Sequence, residues 1–268
     1  MSYFPLNDSL SLFYTTHGDP SNEPFLLIHG WCCDGQDWAW QIPFLEKTYY
    51  VVVLDNRGHG RSSAPTDISY SAQDMAADAA ALLRHLKIQK TLVMGHSMGG
   101  VATSTLAITE PQLVKAIILN DPAYWLPKKI ADAALLAWYD PNADIHALTL
   151  GAYSALYGES SPAHQKALHS RRVQGTPAHV SLGSIIGLCD GVGLGTMENS
   201  LEYVKGRRNC PTLVYYVKQE LADGERAMTT GEKDEIVVME GVGHWPHQEK
   251  SEEYNEILGR WLKKIESS

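Results

Sequence analysis

The sequence predicts an α/β fold, with a mostly parallel sheet and helices on both of its faces. Short, nearly continuous apolar runs alternate with longer segments of helical periodicity over the first 121 residues. A continuous apolar run is typical of a strand that is buried on both faces, as strands in parallel sheets are. Repetition of strand, helix and strand places helices on both sides of such a sheet.

Four apolar runs in the first half of the chain are predicted to be parallel strands. They lie at residues 25–29, 50–54, 91–95 and 115–119. Between them, residues 72–86 and 101–108 carry apolar side chains at helical spacing and are predicted to be helices. Residues 2–15 are more strand-like, and we expect them to add antiparallel strands at one edge of the sheet.

The alternation stops between residues 122 and 205, which contain several helical patches and no clear strand. An insertion of this length should have structure of its own, and we predict a small helical cap over the strand ends. The patches are residues 130–138, 145–157, 163–173 and 181–188. The core domain is then predicted to comprise residues 1–121 and 206–268, with the cap at 122–205.

The remaining core elements follow the cap. Apolar runs at residues 212–217 and 235–239 predict two more strands, and an amphipathic pattern at 249–265 predicts a closing helix.

Composition excludes several classes of function. The net charge of −9 argues against general affinity for nucleic acid or anionic lipid. No apolar run approaches the roughly 20 residues that span a bilayer, and the first residues lack the pattern of a secretory signal. The four cysteines show neither metal-ligand nor disulfide-framework spacing. We expect a reduced, soluble, cytoplasmic protein that acts on a small molecule without a nucleic-acid or membrane partner.

The run Gly-His-Ser-Met-Gly at residues 95–99 follows a predicted strand and opens a predicted helix, which is the context of a nucleophile elbow. The serine of an elbow sits on a sharp, strained turn, so the residues two positions to either side must be small. The turn lifts the hydroxyl from the sheet edge and directs the next backbone amide into the same space. We therefore predict Ser97 as nucleophile and Met98 as one oxyanion donor.

Two further runs supply partners for this serine. The loop at His29-Gly30-Trp31 follows a predicted strand, where Trp31 would donate the second oxyanion amide and Gly30 would permit close backbone approach. His244, in the run Gly-Val-Gly-His-Trp-Pro at 241–246, lies after the last predicted strand. Because a serine hydroxyl needs an imidazole to take its proton, we predict His244 as the base.

These runs, with Asp-Asn-Arg-Gly-His-Gly-Arg-Ser at residues 55–62, resemble the serine-nucleophile branch of the α/β-hydrolase superfamily along the whole chain. The resemblance implies an eight-stranded, mostly parallel sheet, a Ser-His-acid triad and no metal or organic cofactor. It also implies that Asp55 is a structural residue of its loop.

The sequence leaves two carboxylates as candidates for the acid of the triad. Most of the superfamily places an Asp after the seventh strand, where this chain has Glu220. Some relatives, including haloalkane dehalogenases and certain cofactor-free ring-cleaving dioxygenases, use the end of the sixth strand, where this chain offers Asp121. We favour Asp121, because a short carboxylate on a strand end orients an imidazole better than a flexible Glu on a polar turn.

A triad with an oxyanion hole favours acyl transfer. Aromatic and thioether side chains near it favour a small hydrophobic or aromatic ester or lactone. The side chains expected to line the substrate site, besides Trp31 and Met98, are His29, Gly30, His96, Tyr124, Trp125 and Trp245.

Three other functions of the same fold stay open. The run Gly-Trp-Cys-Cys-Asp at 30–34 is similar to a run near the active site of cofactor-free dioxygenases, in which a His–Asp pair deprotonates a hydroxy-heteroaromatic substrate and Ser97 would only position it. A perhydrolase or non-haem haloperoxidase-like enzyme uses the same triad. A small-molecule receptor of this fold keeps the triad but signals through its cap.

Overall fold

One eight-stranded sheet organises the part of the chain that the computed structural model describes, which is residues 2–124, 126–229 and 231–266. The order across the sheet is β1-β2-β4-β3-β5-β6-β7-β8. The strands are β1 (Ser2–Pro5), β2 (Ser11–His17), β3 (Glu23–Ile28), β4 (Tyr49–Leu54), β5 (Thr91–His96), β6 (Val114–Asn120), β7 (Thr212–Tyr216) and β8 (Glu235–Val238).

The strand directions confirm the predicted mostly parallel sheet. β1 and β2 are antiparallel additions at one edge, and the pairs from β4 to β8 are parallel. The register aligns Ile28 with Gly95 and Gly95 with Leu119. The carboxyl ends of β3, β5 and β6 therefore meet at one edge, so the loops that follow them are neighbours.

Helices cover both faces, as predicted. In chain order they are α1 (Ile42–Leu45), α2 (Ala72–His85), α3 (Met98–Thr109), α4 (Lys128–Trp138), α5 (Ile145–Ser154), α6 (Ala163–Gly175), α7 (Ala178–Cys189), α8 (Met197–Val204), α9 (Gln219–Glu225), α10 (Pro246–Glu249) and α11 (Ser251–Glu266). Short 3₁₀ turns lie at Gly35–Trp38 and Pro111–Leu113. Among these described helices, none is both long and apolar enough to cross a membrane.

The core lies on both sides of the sheet because strand side chains alternate between its faces. Leu26 and Ile28 join an apolar cluster that includes residues of α2 and α3. Phe25 and Leu27 join a second cluster with residues of α1 and α11. Both faces of β3 are thus fully buried, which explains its unbroken apolar run.

The segment between β6 and β7 is helical, as the sequence predicts, with α4 to α7 close to the four predicted patches. The eight-residue helix α8 was not predicted; its sequence, Met-Glu-Asn-Ser-Leu-Glu-Tyr-Val, has too short an apolar pattern to stand out. Leu135 and Tyr153 of this segment share one apolar cluster with the sheet and α3. Its division from the core at residues 122 and 205 stays a prediction.

Candidate active site

Ser97 lies on a strained turn between β5 and α3. Its backbone has φ 53° and ψ −119°, a conformation that L residues rarely adopt and that costs free energy. The turn is held on both sides, since Ser97 N donates to Asn120 O at 3.0 Å and Ser97 O accepts from Ala123 N at 3.1 Å. The serine therefore stands at the sheet edge with a fixed backbone, as the elbow motif predicts.

The small residues around the serine are required by contacts with the backbone. A Cβ added at Gly95 would overlap the carbonyl oxygen of Gly99 and the hydroxyl of Thr103. A Cβ added at Gly99 would overlap the carbonyl oxygens of Ile28 and His29. The first turn of α3 is thus pressed against the end of β3, which only glycine permits.

Asp121 is the acid that the structure brings to His244. Nδ1 of His244 donates to Oδ2 of Asp121 at 2.5 Å, which leaves Nε2 as the ring nitrogen that can accept a proton from a serine. Asp121 directly follows β6, and its amide donates to Tyr215 O at 2.8 Å, so its position is fixed between β6 and β7.

Glu220, the other candidate for the acid, lies on a different element of the fold. β7 ends at Tyr216, and Glu220 is an exposed residue in the first turn of α9. Asp121 is 5% exposed and holds the Nδ1 proton of His244. Of the two carboxylates that the sequence leaves open, the hydrogen bonding favours Asp121.

The Gly30 backbone and the first turn of α3 both lie next to Ser97. A Cβ at Gly30 would lie 3.1 Å from Cβ of Ser97, so the backbone leading into Trp31 runs beside the serine. Met98 is the first residue of α3, and the first N–H groups of a helix have no partners within it. The positive end of the helix dipole adds to the attraction for a negative oxygen.

His29 does not face a substrate, contrary to expectation. Its side chain is fully buried, Nε2 accepts from Asn56 N at 3.0 Å, and Nδ1 therefore carries the proton given to Gly30 O at 2.8 Å. The two ring nitrogens therefore link the loop that follows β3 to the loop that follows β4. The role of His29 is to fix the Gly30 backbone.

His96 is likewise occupied by protein groups. Its ring is 1% exposed, Nδ1 contacts Oδ2 of Asp37 at 3.0 Å, and Nε2 donates to the backbone oxygen of His244 at 2.9 Å. Neither nitrogen can bind a substrate without breaking one of these bonds. The predicted substrate-binding role of His96 is therefore wrong. The His96 ring instead holds the backbone of the loop that carries His244.

The described aromatic residues that were expected to line the substrate site are buried, and they contact other protein groups. Trp31 donates its indole N–H to Ser181 O at 3.0 Å, and the Tyr124 hydroxyl bonds Ser104. Trp245 is 1% exposed, with ring centroids 5.2 Å from His244 and 4.2 Å from His169. Trp125 lies outside the described residues.

The loop that carries His244 is tied to the segment between α5 and α6, which sequence reasoning missed. His244 N donates to Leu156 O at 2.9 Å, and Gly243 N donates to Glu249 at 3.1 Å. Ser161 also donates to Glu249, at 2.8 Å. Such bonds join distant parts of the chain and leave no periodic signal in the sequence.

One group of side chains has ligand types suited to a metal ion. Atoms of Cys33, Asp37 and His96 lie within 4.8 Å of one another. Burial raises the pKa of the Cys33 thiol well above its ordinary value, so the thiol stays neutral. The Arg172 guanidinium lies 3.8 Å from Asp37 and opposes a further cation. These charges do not favour a metal at this position.

Comparison with known proteins agrees with this architecture. A family model described as alpha/beta hydrolase fold matches residues 23–146. A solved hydrolase from Pseudomonas aeruginosa PA01 superposes with a TM-score of 0.81 at 21% identity, over 97% of this chain and 97% of that one. At this identity the likeness shows the fold.

Two curated relatives match the same part of the chain. A non-heme chloroperoxidase from Burkholderia pyrrocinia is 32% identical over 125 residues, which are 45% of this chain and 45% of the relative. A bifunctional esterase/perhydrolase from Acinetobacter calcoaceticus is 33% identical over 124 residues, 45% and 44% of the two chains. The chain thus matches less than half the length of these relatives. The fold, and the sequence of the part of the chain that these comparisons match, resemble the α/β-hydrolase superfamily.

Proposed function

We propose that this protein is a serine esterase or lactonase of the α/β-hydrolase superfamily that acts by acyl transfer on a small hydrophobic or aromatic carboxylic ester. The observation that carries the proposal is the arrangement of Ser97 on its strained turn, directly after a His96 that contacts the backbone of His244, whose own Nδ1 donates to Asp121. An imidazole fixed in this tautomer presents Nε2 as a base, which is the form that serine activation requires.

The reaction follows from these positions. Oγ of Ser97 attacks the ester carbonyl while Nε2 of His244 takes the hydroxyl proton, and Asp121 stabilises the resulting imidazolium. The amides of Trp31 and Met98 hold the oxyanion. The imidazolium then protonates the leaving alcohol. Water, deprotonated by His244, releases the acid and restores Ser97.

The side chains around the base support an apolar, flat substrate. Trp245 packs edge-on against His244 and stacks with Tyr157 at 5.3 Å between ring centroids. The indole N–H of Trp245 and Nε2 of His169 are buried, and neither has a hydrogen-bond partner among the described residues. Buried polar atoms of this kind are satisfied when a ligand supplies the partner, so we expect the substrate to carry a polar group on an aromatic or apolar body.

The test is hydrolysis of p-nitrophenyl esters of graded acyl length, together with a few lactones, by the wild type and by Ser97→Ala. We expect kcat/KM to fall by at least about 10⁴ in the variant, because the nucleophile is lost. Ser154→Ala, an exposed serine of α5, is the matched control and should keep full activity. Substantial turnover by Ser97→Ala would refute acyl transfer through this serine.

Perhydrolysis is a second candidate, supported by the similarity of this chain to a bifunctional esterase/perhydrolase and to a non-heme chloroperoxidase. Hydrogen peroxide in place of water would attack the same acyl-enzyme, giving a peracid and free Ser97. Peracid formation from acetate ester and peroxide that exceeds ester hydrolysis by water, and that disappears in Ser97→Ala, would favour this reaction.

The position of Asp121 after β6 supports a third candidate, a cofactor-independent dioxygenase. In this reaction the His244–Asp121 pair would deprotonate a hydroxyquinolone-like substrate that Ser97 only positions. Oxygen uptake that survives Ser97→Ala but not His244→Ala would select it. A stable adduct on Ser97 with negligible turnover would indicate a receptor instead.

A further inference from the structure

We propose that Asp37 and His96 form a second, buried imidazole–carboxylate pair, which shares a proton and positions the catalytic histidine from behind. The proposal rests on the assignment of His244 as the base, and it names His96 as a positioning residue for the same reaction, with Asp37 as the group that holds the proton on His96. It adds a hydrogen-bonded chain from Asp37 through His96 to the backbone of His244.

The chain is short and fully enclosed. Nδ1 of His96 lies 3.0 Å from Oδ2 of Asp37, and Nε2 of His96 lies 2.9 Å from the backbone oxygen of His244. Asp37 is fully buried and His96 is 1% exposed. The rings of His96 and His244 are 4.8 Å apart between centroids.

The chemistry of the two neighbours determines where the protons are. A backbone carbonyl only accepts hydrogen bonds, so Nε2 of His96 must carry a proton toward His244. A carboxylate also only accepts, so a second proton must lie between Nδ1 and Oδ2 of Asp37. Without it, two lone pairs would face each other at 3.0 Å in a buried place, where the repulsion is unscreened.

Burial works against this second proton. It lowers the pKa of His96 to about 4, although the Asp37 carboxylate opposes the shift. Burial also raises the pKa of Asp37, but His96 and His247 outweigh it and hold that pKa well below its ordinary value. The 3.0 Å approach requires a proton between the two atoms, and the low pKa of Asp37 places that proton on Nδ1 of His96 rather than on the carboxylate. The two groups then titrate as one unit.

Asp37 has further donors that keep its carboxylate in place. Gln248 donates to Oδ1 at 2.6 Å, and Arg172 of α6 lies 3.8 Å from the same oxygen. Nε2 of His247 lies 3.7 Å from Oδ2. The titratable groups around the pair come from the loop after β3, from α5 and α6, and from the His244 loop with α10. They are Cys33, Asp34, Tyr153, His169, Arg172, His244 and His247.

The pair acts on orientation rather than on the reacting atoms. His96 holds the His244 backbone, while Asp121 holds the His244 ring. A histidine fixed at both its backbone and its ring has its Nε2 direction set before substrate arrives. Loss of such positioning lowers kcat by about tenfold to a hundredfold, because a displacement of about 1 Å at a catalytic group has this effect.

Nuclear magnetic resonance of the ¹⁵N-histidine-labelled wild type at pH 7 tests the shared proton without any assay. We expect both ring nitrogens of His96 to be protonated, with the signals assigned by their loss in His96→Gln. In Asp37→Asn the amide can accept from Gln248 and donate to Nδ1, so we expect Nδ1 to lose its proton while Nε2 keeps it. A single protonated nitrogen on His96 in the wild type, or two in Asp37→Asn, would overturn the proposal.

Ester hydrolysis tests the positioning role. His96→Gln should lower kcat by about tenfold to a hundredfold with KM nearly unchanged, whereas Asp37→Asn, which keeps Nε2–H on the His244 carbonyl, should retain most of kcat. Asp78→Asn, which breaks the buried pair between Asp78 and Arg57, is the control and should leave kcat unchanged. An unchanged kcat in folded His96→Gln contradicts positioning. The resonance result stands independently if the proposed hydrolysis itself fails.

Discussion

At the residue scale, the backbone conformation of Asp121 determines which carboxylate contacts His244. This residue has φ 41°, a left-handed conformation that is strained for a non-glycine residue. This backbone turns its carboxylate toward His244 directly after β6 ends. The strained backbone and the short bond to His244 therefore occur at the same residue.

Exchange of the two candidate acids tests this assignment. We expect Asp121→Asn to lower kcat for an ester by about 10³–10⁴, because an amide stabilises the wrong tautomer of His244 and cannot compensate its positive charge. Glu220→Gln removes an exposed charge from α9 and should leave kcat unchanged. Steady-state kinetics on both variants measures the difference. Loss of activity in the glutamate variant alone would reverse the assignment.

At the scale of elements, the site depends on how closely α3 approaches β3. The helix begins immediately after Ser97, and its first turn lies against the carbonyl groups at the end of β3. Close approach brings the helix N-terminus and the Gly30 loop to the same side of the serine. The elbow is therefore a packing arrangement of two elements, and its glycines are needed for that packing.

Gly99→Ala tests the packing. The added methyl group would meet two backbone carbonyls of the central sheet, which cannot move aside, so we expect the free energy of unfolding to fall by about 1–3 kcal/mol or more. Gly151→Ala is the matched control, because Gly151 is an exposed position of α5 where an added Cβ would meet nothing within 4 Å. It should stabilise the protein by about 0.5–1 kcal/mol. Urea unfolding measures both, and equal destabilisation would contradict the argument.

At the scale of the whole molecule, most of the cysteine thiols are buried in the core. Cys32, Cys33 and Cys189 are buried and Cys210 is partly buried, all of them free thiols. Burial raises the pKa of Cys32 to about 12 and of Cys189 and Cys210 to about 11. Since the thiolate is the reactive form, the folded protein should protect these groups chemically as well as sterically.

Thiol labelling during unfolding measures this protection. At pH 8 we expect the native protein to react slowly with an aromatic disulfide reagent, and all four thiols to react at once in denaturant. The labelling rate at intermediate denaturant should follow the unfolding transition measured by circular dichroism. Cys210→Ser, which removes the partly buried thiol, should abolish most of any slow native reaction. Rapid labelling of two or more thiols in the native protein would contradict a closed core.

Sequence alone determined the class of fold and the central motif, because these depend on local patterns. Buried parallel strands produce continuous apolar runs, and the turn at Ser97 needs small residues at fixed spacing, so both can be recognised without tertiary contacts. The parallel directions of the strands around Gly95 and Leu119 followed the predicted sheet.

The tertiary structure decided everything that depends on distant residues meeting. It brings Asp121 into hydrogen-bond contact with His244 and places Glu220 in α9, a difference that the spacing of the two carboxylates along the chain does not reveal. It also shows that His29 and His96 bond to protein groups rather than face a substrate, and it reveals Asp37, a buried aspartate in a short 3₁₀ turn. A hydrogen bond between residues 59 positions apart leaves no periodic trace in the sequence, because its partners share no local element.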